Sequence, residues 1–486
     1  MHPLRIACLD KLNWRNKAYA LVLLCVTTAV PLTAQTFTTL RSFDDTDGDD
    51  PQGALVQATD GNLYGTTYGG GANGAGTVFK ITPGGTLTTV YSFCVQSGCP
   101  DGAYPYAALV QATNGSLYGT TTGGGANGDG TVFKITTAGA LTTLHNFDMT
   151  DGNLPYTALV QATNGNLYGM TVQGGANGAG SVFKITPSGT LTTLYSFCSQ
   201  GGASCTDGKT PLSALIQATN GNLYGTTFVG GANGYGTVFK ISPSGTLTTL
   251  LSFDYTDNGG NPEAGLVEAS NGNLYGTTSD GFASGGNYGT VFKITPSGTL
   301  TTLHSFCSLS NCADGYSSDA ALVQATDGNL YGTTVLGGAN CIPAGGCGTI
   351  FKITTGGTLT TLHSFDVTDG ENPETGLTQD TNGKFYGTMQ AGGADNGGTI
   401  YSLSVSLGAF VETQTSSGKV GAAVKILGTN LTGATGVTFN GTAATFTVVS
   451  KSEITTTVPT GATTGKVQVV TPSGTLTSNV NFRVTP

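Results

Sequence analysis

From residue 36 to about residue 404, short runs of alternating or clustered β-branched and aromatic residues are separated by turn-forming residues. The third copy of the pattern shows the unit clearly: 157–163 (TALVQAT), 166–172 (NLYGMTV), 180–186 (GSVFKIT) and 190–197 (TLTTLYSF). Each run has the length and composition of one strand in a half-buried sheet. The string NLYGTT, or a close variant, places a tyrosine at 64, 118, 168, 224, 275, 331 and 386, at spacings of 54, 50, 56, 51, 56 and 55. Between the first and second runs stands Asp60-Gly61, Asn114-Gly115, Asn164-Gly165, Asn220-Gly221, Asn271-Gly272, Asp327-Gly328 or Asn382-Gly383. These dipeptides tolerate positive φ at both central positions and predict a two-residue type I′ hairpin. Pro-Ser-Gly or a relative, such as Pro83-Gly84-Gly85, predicts a second tight turn between the third and fourth runs. Four antiparallel strands repeated seven times predict an all-β, seven-bladed β-propeller.

The ends of the array sharpen this expectation. The seventh copy stops after its third run, 397–403, whereas residues 36–43 (TFTTLRSF) form a fourth run with none before it. The N-terminal strand is therefore expected to complete the last blade and close the ring, removing two sheet edges. From about Gly408 the pattern changes to six or seven short strands with frequent turns, which predicts an antiparallel immunoglobulin-like β-sandwich. The expected organisation is a leader over 1–34, a propeller over 35–404 and the sandwich over 408–486.

Composition adds the compartment. Residues 1–17 carry Arg5, Lys11, Arg15 and Lys17, residues 18–30 are apolar, and Leu32-Thr33-Ala34 precedes Gln35. This is the pattern of a secretory signal peptide, because the apolar run is shorter than the ~20 residues a spanning helix needs. No membrane span is expected once it is removed, and the protein is expected to be secreted or on the cell surface. The ten cysteines agree. Cys8 and Cys25 fall in the leader; the others form close couples, Cys94/Cys99, Cys198/Cys205, Cys307/Cys312 and Cys341/Cys347. Such pairing in an exported chain predicts four disulfides rather than zinc sites. The chain has 18 basic and 28 acidic side chains, and 14 and 27 remain beyond the leader. An acidic surface repels phosphate backbones, so nucleic acid is not an expected partner.

Two resemblances follow from these strings. The recurring NLYGTT, the Gly-rich loop exemplified by Gly69-Gly70-Gly71-Ala72-Asn73-Gly74, then GTVFKI and TLTTLxSF resemble the Gloeo/Verruco (GloVer) tandem repeat family of exported bacterial proteins, over about residues 36–404. That resemblance implies export and a repeat architecture, and no particular reaction. The C-terminal region, through Val424-Lys425-Ile426-Leu427-Gly428-Thr429-Asn430-Leu431, Val437-Thr438-Phe439-Asn440-Gly441, Ile454-Thr455-Thr456-Thr457-Val458-Pro459 and Lys466-Val467-Gln468-Val469-Val470, resembles the IPT/TIG immunoglobulin-like family. In an exported protein that resemblance implies a spacer or adhesive module. The DNA-binding role of some members does not carry over, because no basic cluster gathers here.

Candidate chemistry concentrates on one face. The two tight turns of each blade share one rim, so the Gly-rich loops and the connections between blades share the other. Those connections carry Asp47, Asp101, Asp151, Asp207, Asp257, Asp314 and Asp369, each before glycine or asparagine and usually four residues before proline. A ring of carboxylates suits cations or a cationic ligand, whereas an aspartate repeated in every copy also suits a turn-capping role, which we weigh more heavily. Cys94, Cys198 and Cys307 replace Asp44, Asp148, Asp254 or Asp366 of other copies. His145, His304 and His363 share a fourth-run position with Arg41, Tyr91, Tyr195 and Leu251, which reads as an interchangeable surface position rather than a general base. The Gly-rich strings lack a following helix or lysine, so they do not read as phosphate loops. The only Trp, Trp14, lies in the leader; Tyr104, Tyr106, Tyr156 and Tyr316 are the loop aromatics. Glu263, Glu268, Glu371 and Glu374 are acids outside the repeat pattern. No catalytic constellation, metal site or cofactor site is predicted. The expected function is non-catalytic binding or adhesion outside the cell, by a monomer, toward an unknown glycan or protein ligand on the long-loop face. The alternative is a secreted polysaccharide hydrolase or lyase, which should gather non-repeated acids in one pocket.

Overall fold

The computed structural model describes residues 35–200, 205–256, 258–281, 288–341 and 346–485; the leader expected over 1–34 and Asp257 lie outside them. Among the described residues the chain is all β apart from a short 3-10 turn at Ser310–Cys312. Seven four-stranded antiparallel sheets follow one another, the first made of Val56–Gln57, Leu63–Thr67, Thr77–Ile81 and Leu87–Ser92. In every blade the second strand is buried at all five positions, because its two faces pack against neighbouring blades.

Two local expectations change. The innermost strand is only two residues long, as in Val160–Gln161, because its neighbours turn away to line the axis or to enter the hairpin. The hairpin itself is not type I′. Ala58 carbonyl accepts from Gly61 N–H, Ala58 N–H donates to the Asn62 carbonyl, and only Gly61 of the dipeptide has positive φ, at 81°. This is a type I turn followed by a left-handed glycine. The Asn or Asp serves a different purpose. Its side chain hydrogen-bonds the hydroxyl of the NLYGTT tyrosine in all seven blades, from Tyr64 to Asp60 at 2.8 Å through Tyr386 to Asn382 at 3.0 Å. The large ring is thus fully buried with its hydroxyl satisfied. The following glycine is required because a Cβ at Gly65 would lie 2.5 Å from Phe79 and 2.8 Å from Leu55.

Blade contacts repeat with the same regularity. A phenylalanine ending the outer strand meets the aromatic residue of the next blade's third strand, from Phe43 on Phe79 at 5.2 Å to Phe365 on Tyr401 at 5.5 Å. At the axis, the glutamine of each VQAT accepts from the preceding blade's backbone. Gln111 holds Thr59, Gln161 holds Thr113, Gln217 holds Thr163, Gln324 holds Ser270 and Gln379 holds Thr326. Glu268 replaces glutamine once and binds both N–H and hydroxyl of Thr219. Gln57 completes the circle by holding Thr381 of blade seven at 3.0 Å.

The ring closes as expected. Thr36–Ser42 pairs antiparallel with Thr399–Ser404, in register from Thr36 opposite Ser404 to Ser42 opposite Thr399. Phe43 then reaches blade one, so the first residues of the array bind its last strand to its first blade.

Beyond blade seven lies a nine-stranded sheet from Val411–Thr413 to Gly474–Thr485, curled around Val424, Ile426, Phe439, Ile454, Val467 and Phe482. It rests on the tight-turn rim. Ser452 donates to the Thr59 carbonyl at 2.8 Å, Asn479 to Gln324 at 2.9 Å, Arg483 to Thr219, and Gln414 to Gln111 at 3.1 Å, so it bridges blades across the axis.

Deleting residues 36–43 leaves blade seven with three strands and blade one without its partner ring. Calorimetry should show a loss of the single cooperative melt, and Phe43→Ala alone should cost about 3–5 kcal/mol. A truncated chain that melts like the full one would overturn this account.

Candidate functional site

The long-loop face is built from the connection into each blade. Every connection contains a non-glycine residue in the left-handed region: Asp50, Tyr104, Leu154, Thr210, Asn261, Ser317 and Asn372, with φ between 55° and 60°. A residue with a Cβ is disfavoured in this region, so the surroundings must hold it there. They do so through the neighbouring blade: Tyr104 N–H donates to the Ala75 carbonyl at 2.8 Å, and its own carbonyl accepts from Thr122 N–H at 3.0 Å. The proline then packs where only glycine fits, as at Gly398, where a Cβ would lie 2.7 Å from Pro51.

This kink aims the next side chain at the axis. The seven equivalent residues are Gln52, Tyr106, Tyr156, Leu212, Glu263, Asp319 and Glu374, and all line one cavity of about 220 Å³. Its floor is made of small residues, including Ala54, Ala158, Gly265 and Gly376. Three successive blades contribute acids, two contribute tyrosines, blade four contributes leucine and blade one glutamine. Tyr106 packs edge-on against Tyr156 at 4.7 Å, and Tyr68 stacks on Tyr104 at 5.1 Å beside them.

The acids are held in poor solvation. Burial, then repulsion from Asp319 and Asp50, pushes Glu374 up to about 7. Burial raises Glu263 and Asp319 as well, aided at Glu263 by the charges of Asp319, Glu374 and Asp280. Asp50 and Asp280 are raised, again chiefly by burial. None of these acids is in an ion pair among the described residues.

Six of the seven aspartates singled out from sequence lie elsewhere in the loops, each tied to the outer strand that immediately precedes it in the chain. Asp47 binds Arg41 at 2.5 Å, Asp101 accepts from Tyr91 at 2.8 Å and Asp207 from Tyr195 at 2.7 Å. Asp151 meets His145 at 2.7 Å, Asp314 meets His304 at 3.0 Å and Asp369 meets His363 at 2.8 Å. The histidine register is therefore not freely interchangeable: it carries a donor for the loop aspartate, with Leu251 the exception, in the blade whose Asp257 is outside the described residues. Asp314 is buried, yet hydrogen bonds from His304 and Ser308 overcome that burial and hold it down at about 2. All four disulfides are formed, Cys94–Cys99, Cys198–Cys205, Cys307–Cys312 and Cys341–Cys347. Among the described residues no three His, Cys, Asp or Glu side chains gather closely enough to hold a metal ion.

Of the non-repeat acids, Glu263 and Glu374 reach the cavity, Glu268 joins the interblade ring and Glu371 stays in a loop bridge to Ala391. Of the loop tyrosines, Tyr106 and Tyr156 line it. Asp319 and Gln52 were not singled out from sequence. The available signal was the residue after proline in each connection, where charge varies from copy to copy; Asp319 escapes it because Ser318 stands where proline would.

Opposite pH dependences follow. Glu374 has a folded value above its ordinary 4.5, so its ionisation costs stability that is absent below about pH 4.5 and fully felt above about pH 7. Glu374→Gln should therefore raise stability by roughly 1–2 kcal/mol above neutrality and change little in acid, in denaturant titrations across pH. Asp314 is depressed, so its contribution is present at neutral pH and fades as the pH falls from about 4 toward 2. Asp314→Asn should cost about 1–3 kcal/mol at neutral pH, with the difference closing in acid. Parallel pH profiles for variant and parent would contradict either assignment.

Comparison with known proteins gives the fold and the family. A fungal alcohol oxidase of the AA5 family, solved in complex with copper, is 12% identical with a TM-score of 0.50, covering 94% of this chain and 100% of that one. A putative 6-phosphogluconolactonase from Bacteroides uniformis is 17% identical (TM-score 0.44; 69% and 87% covered), and a gluconolactonase from Xanthomonas campestris 13% identical (TM-score 0.40; 76% and 90% covered). At such identities these likenesses concern architecture alone. No curated protein matches the chain. The pattern of the Gloeobacter/Verrucomicrobia repeat matches residues 27–206, 161–341 and 287–457, three overlapping stretches that take in most of the sequence. The chain belongs to the Gloeobacter/Verrucomicrobia repeat family.

Proposed function

We propose that this chain is an exported, non-catalytic binding protein that seats its ligand in the axial cavity of the long-loop face. The observation that carries this reading is the axial register, where glutamine, tyrosines, leucine and acids replace one another around one cavity. A structural device repeats, as the tyrosine–asparagine and glutamine contacts do; a recognition surface has to differ from blade to blade to fit an asymmetric ligand. The leader over 1–34 delivers the chain outside the cell, where the four disulfides belong. Residues 408–486 are an immunoglobulin-like module of IPT/TIG type that serves as spacer and occupies the opposite rim, leaving the long-loop face for the ligand. The loop aspartates contribute by fixing the connections that frame the cavity.

A polysaccharide hydrolase or lyase is the second reading, and one observation favours it. Burial makes Glu374 and Glu263 proton donors near neutral pH, next to further carboxyls, as a general acid and base pair needs.

Glycan-array and polysaccharide screening of the exported chain separates the two. Saturable binding without product is expected, with Tyr106→Ala weakening it about tenfold or more. Release of shortened product, abolished by Glu263→Gln, would replace binding by catalysis; binding indifferent to every cavity substitution would place the site elsewhere.

A further inference from the structure

The cavity is rich in carboxyl acceptors, and its donors are neutral hydroxyls with no cationic group among them. Glu263, Asp319 and Glu374 stand on three successive blades, and no lysine, arginine or histidine is among the residues lining the cavity. Among the described ion pairs, Arg41 is on Asp47 and Lys425 on Glu453, neither of them at the cavity. Gln52 adds an independent observation. It lines the same cavity at 9% exposure, its amide nitrogen donates to Asp50 at 2.6 Å, and its amide oxygen is buried with no hydrogen-bond partner. A buried acceptor left unpaired costs about 1–3 kcal/mol, which a ligand donor can recover. Opposite the acids, Tyr106 and Tyr156 present ring surface.

These features select among ligands. An anion or a pure acceptor would face carboxylates and an unpaired carbonyl. A bare metal ion wants several close ligands at once, and the acids are spread over separate blades. An alkylammonium group carries three donors, no acceptor and one positive charge that a single carboxylate can meet, and its carbon skeleton suits tyrosine faces. The cavity of about 220 Å³ is below the usual range for a drug-sized ligand, which fits a small molecule or the end unit of a longer chain.

We propose that the axial cavity binds a primary ammonium group, carried by an amino sugar or a polyamine, with Glu263, Asp319 and Glu374 neutralising its charge, Gln52 accepting a hydrogen bond and Tyr106 and Tyr156 packing on its carbons. This rests on the axial cavity being the binding site. The bound charge draws the raised carboxyls into their ionised form, so binding releases protons and weakens in acid. The groups that titrate with the ligand are Glu263, Asp319 and Glu374, with Asp50 and Asp280 beside them; Tyr106 stays protonated because burial and the nearby acids raise it.

Isothermal titration of the exported chain with a glucosamine tetramer, its N-acetylated counterpart and spermidine tests this. At least one amine should bind, with the neutral tetramer about tenfold weaker or worse than the free one if sugar is the carrier. Binding by the glucosamine tetramer alone identifies an amino sugar, and by spermidine alone a polyamine. Spermidine keeps its charge between about pH 7.5 and 5.5, so any binding it shows should fall about tenfold over that interval. Glu374→Gln should weaken the amine about tenfold with an equal or higher melting temperature, while Glu371→Gln, on the same face outside the cavity, should leave affinity unchanged. Equal binding of acetylated and free tetramers, sensitive to Tyr106→Ala, would overturn the ammonium assignment and leave the cavity as the site. Absence of binding by both amines would also overturn it, and equal losses in Glu371→Gln and Glu374→Gln would show general attraction to an acidic surface instead. If ligands found by screening ignore every cavity substitution, the site itself is wrong.

Discussion

Each blade is joined to the next by two contacts that recur around the whole circle: an aromatic edge-to-face pair near the outer strand and an amide hook at the axis. The first buries large rings between sheets that cannot cover both of their own faces. The second ties the inner strand, only two residues long, to the preceding blade's turn. A four-stranded blade alone leaves its second strand exposed on two sides; stacked, that strand is buried at every position. The contact between blade seven and blade one is the critical one, because the chain does not continue through it. Phe43 and Gln57 supply it, and Phe43 is there because Thr36–Ser42 is hydrogen-bonded to Thr399–Ser404. Blade order, channel shape and the orientation of every connection depend on that closure.

A closed ring allows one register to diverge. The connection into each blade is held in a left-handed kink by its neighbour's backbone, so the side chain after it points to the axis whatever its identity. Strain of this kind recurs in all seven connections and does not itself mark a ligand; it is the scaffold for a position free to vary. Acids placed there are crowded and poorly solvated, which raises them toward neutrality and makes the cavity less stable than it would be with amides.

The loop aspartates show the contrary case. The six described ones are near the same face, yet each has as partner an arginine, tyrosine or histidine of the outer strand just before it, and at Asp314 hydrogen bonds depress the carboxyl rather than raise it. Asp314 and the axial acids are therefore shifted in opposite directions on one face. The difference is one of partners: outer-strand donors reach the loop aspartates, and none reaches the axis.

The repeat was legible along the chain. Its period, the four strands per copy, the missing fourth strand at one end and its counterpart at the other, and the cysteine couples all follow from local composition and spacing, which register strand pattern and turn chemistry directly. The asparagine of the Asn-Gly turn was legible as a turn residue but not as the partner of a buried tyrosine hydroxyl, since that bond depends on how the type I turn brings position 60 back over position 64. The glutamine of VQAT was invisible as a staple because its partner lies about fifty residues earlier in another blade. Likewise the cavity: Tyr106, Tyr156, Glu263 and Glu374 stood out as single loop residues, Gln52 and Asp319 did not, and nothing local grouped the six, each in a different copy. Only the closed ring brings that register to one axis, where like charges meet with no cation and their burial becomes a property of the assembly. Local spacing determined the blades; long-range closure decided what faces the centre.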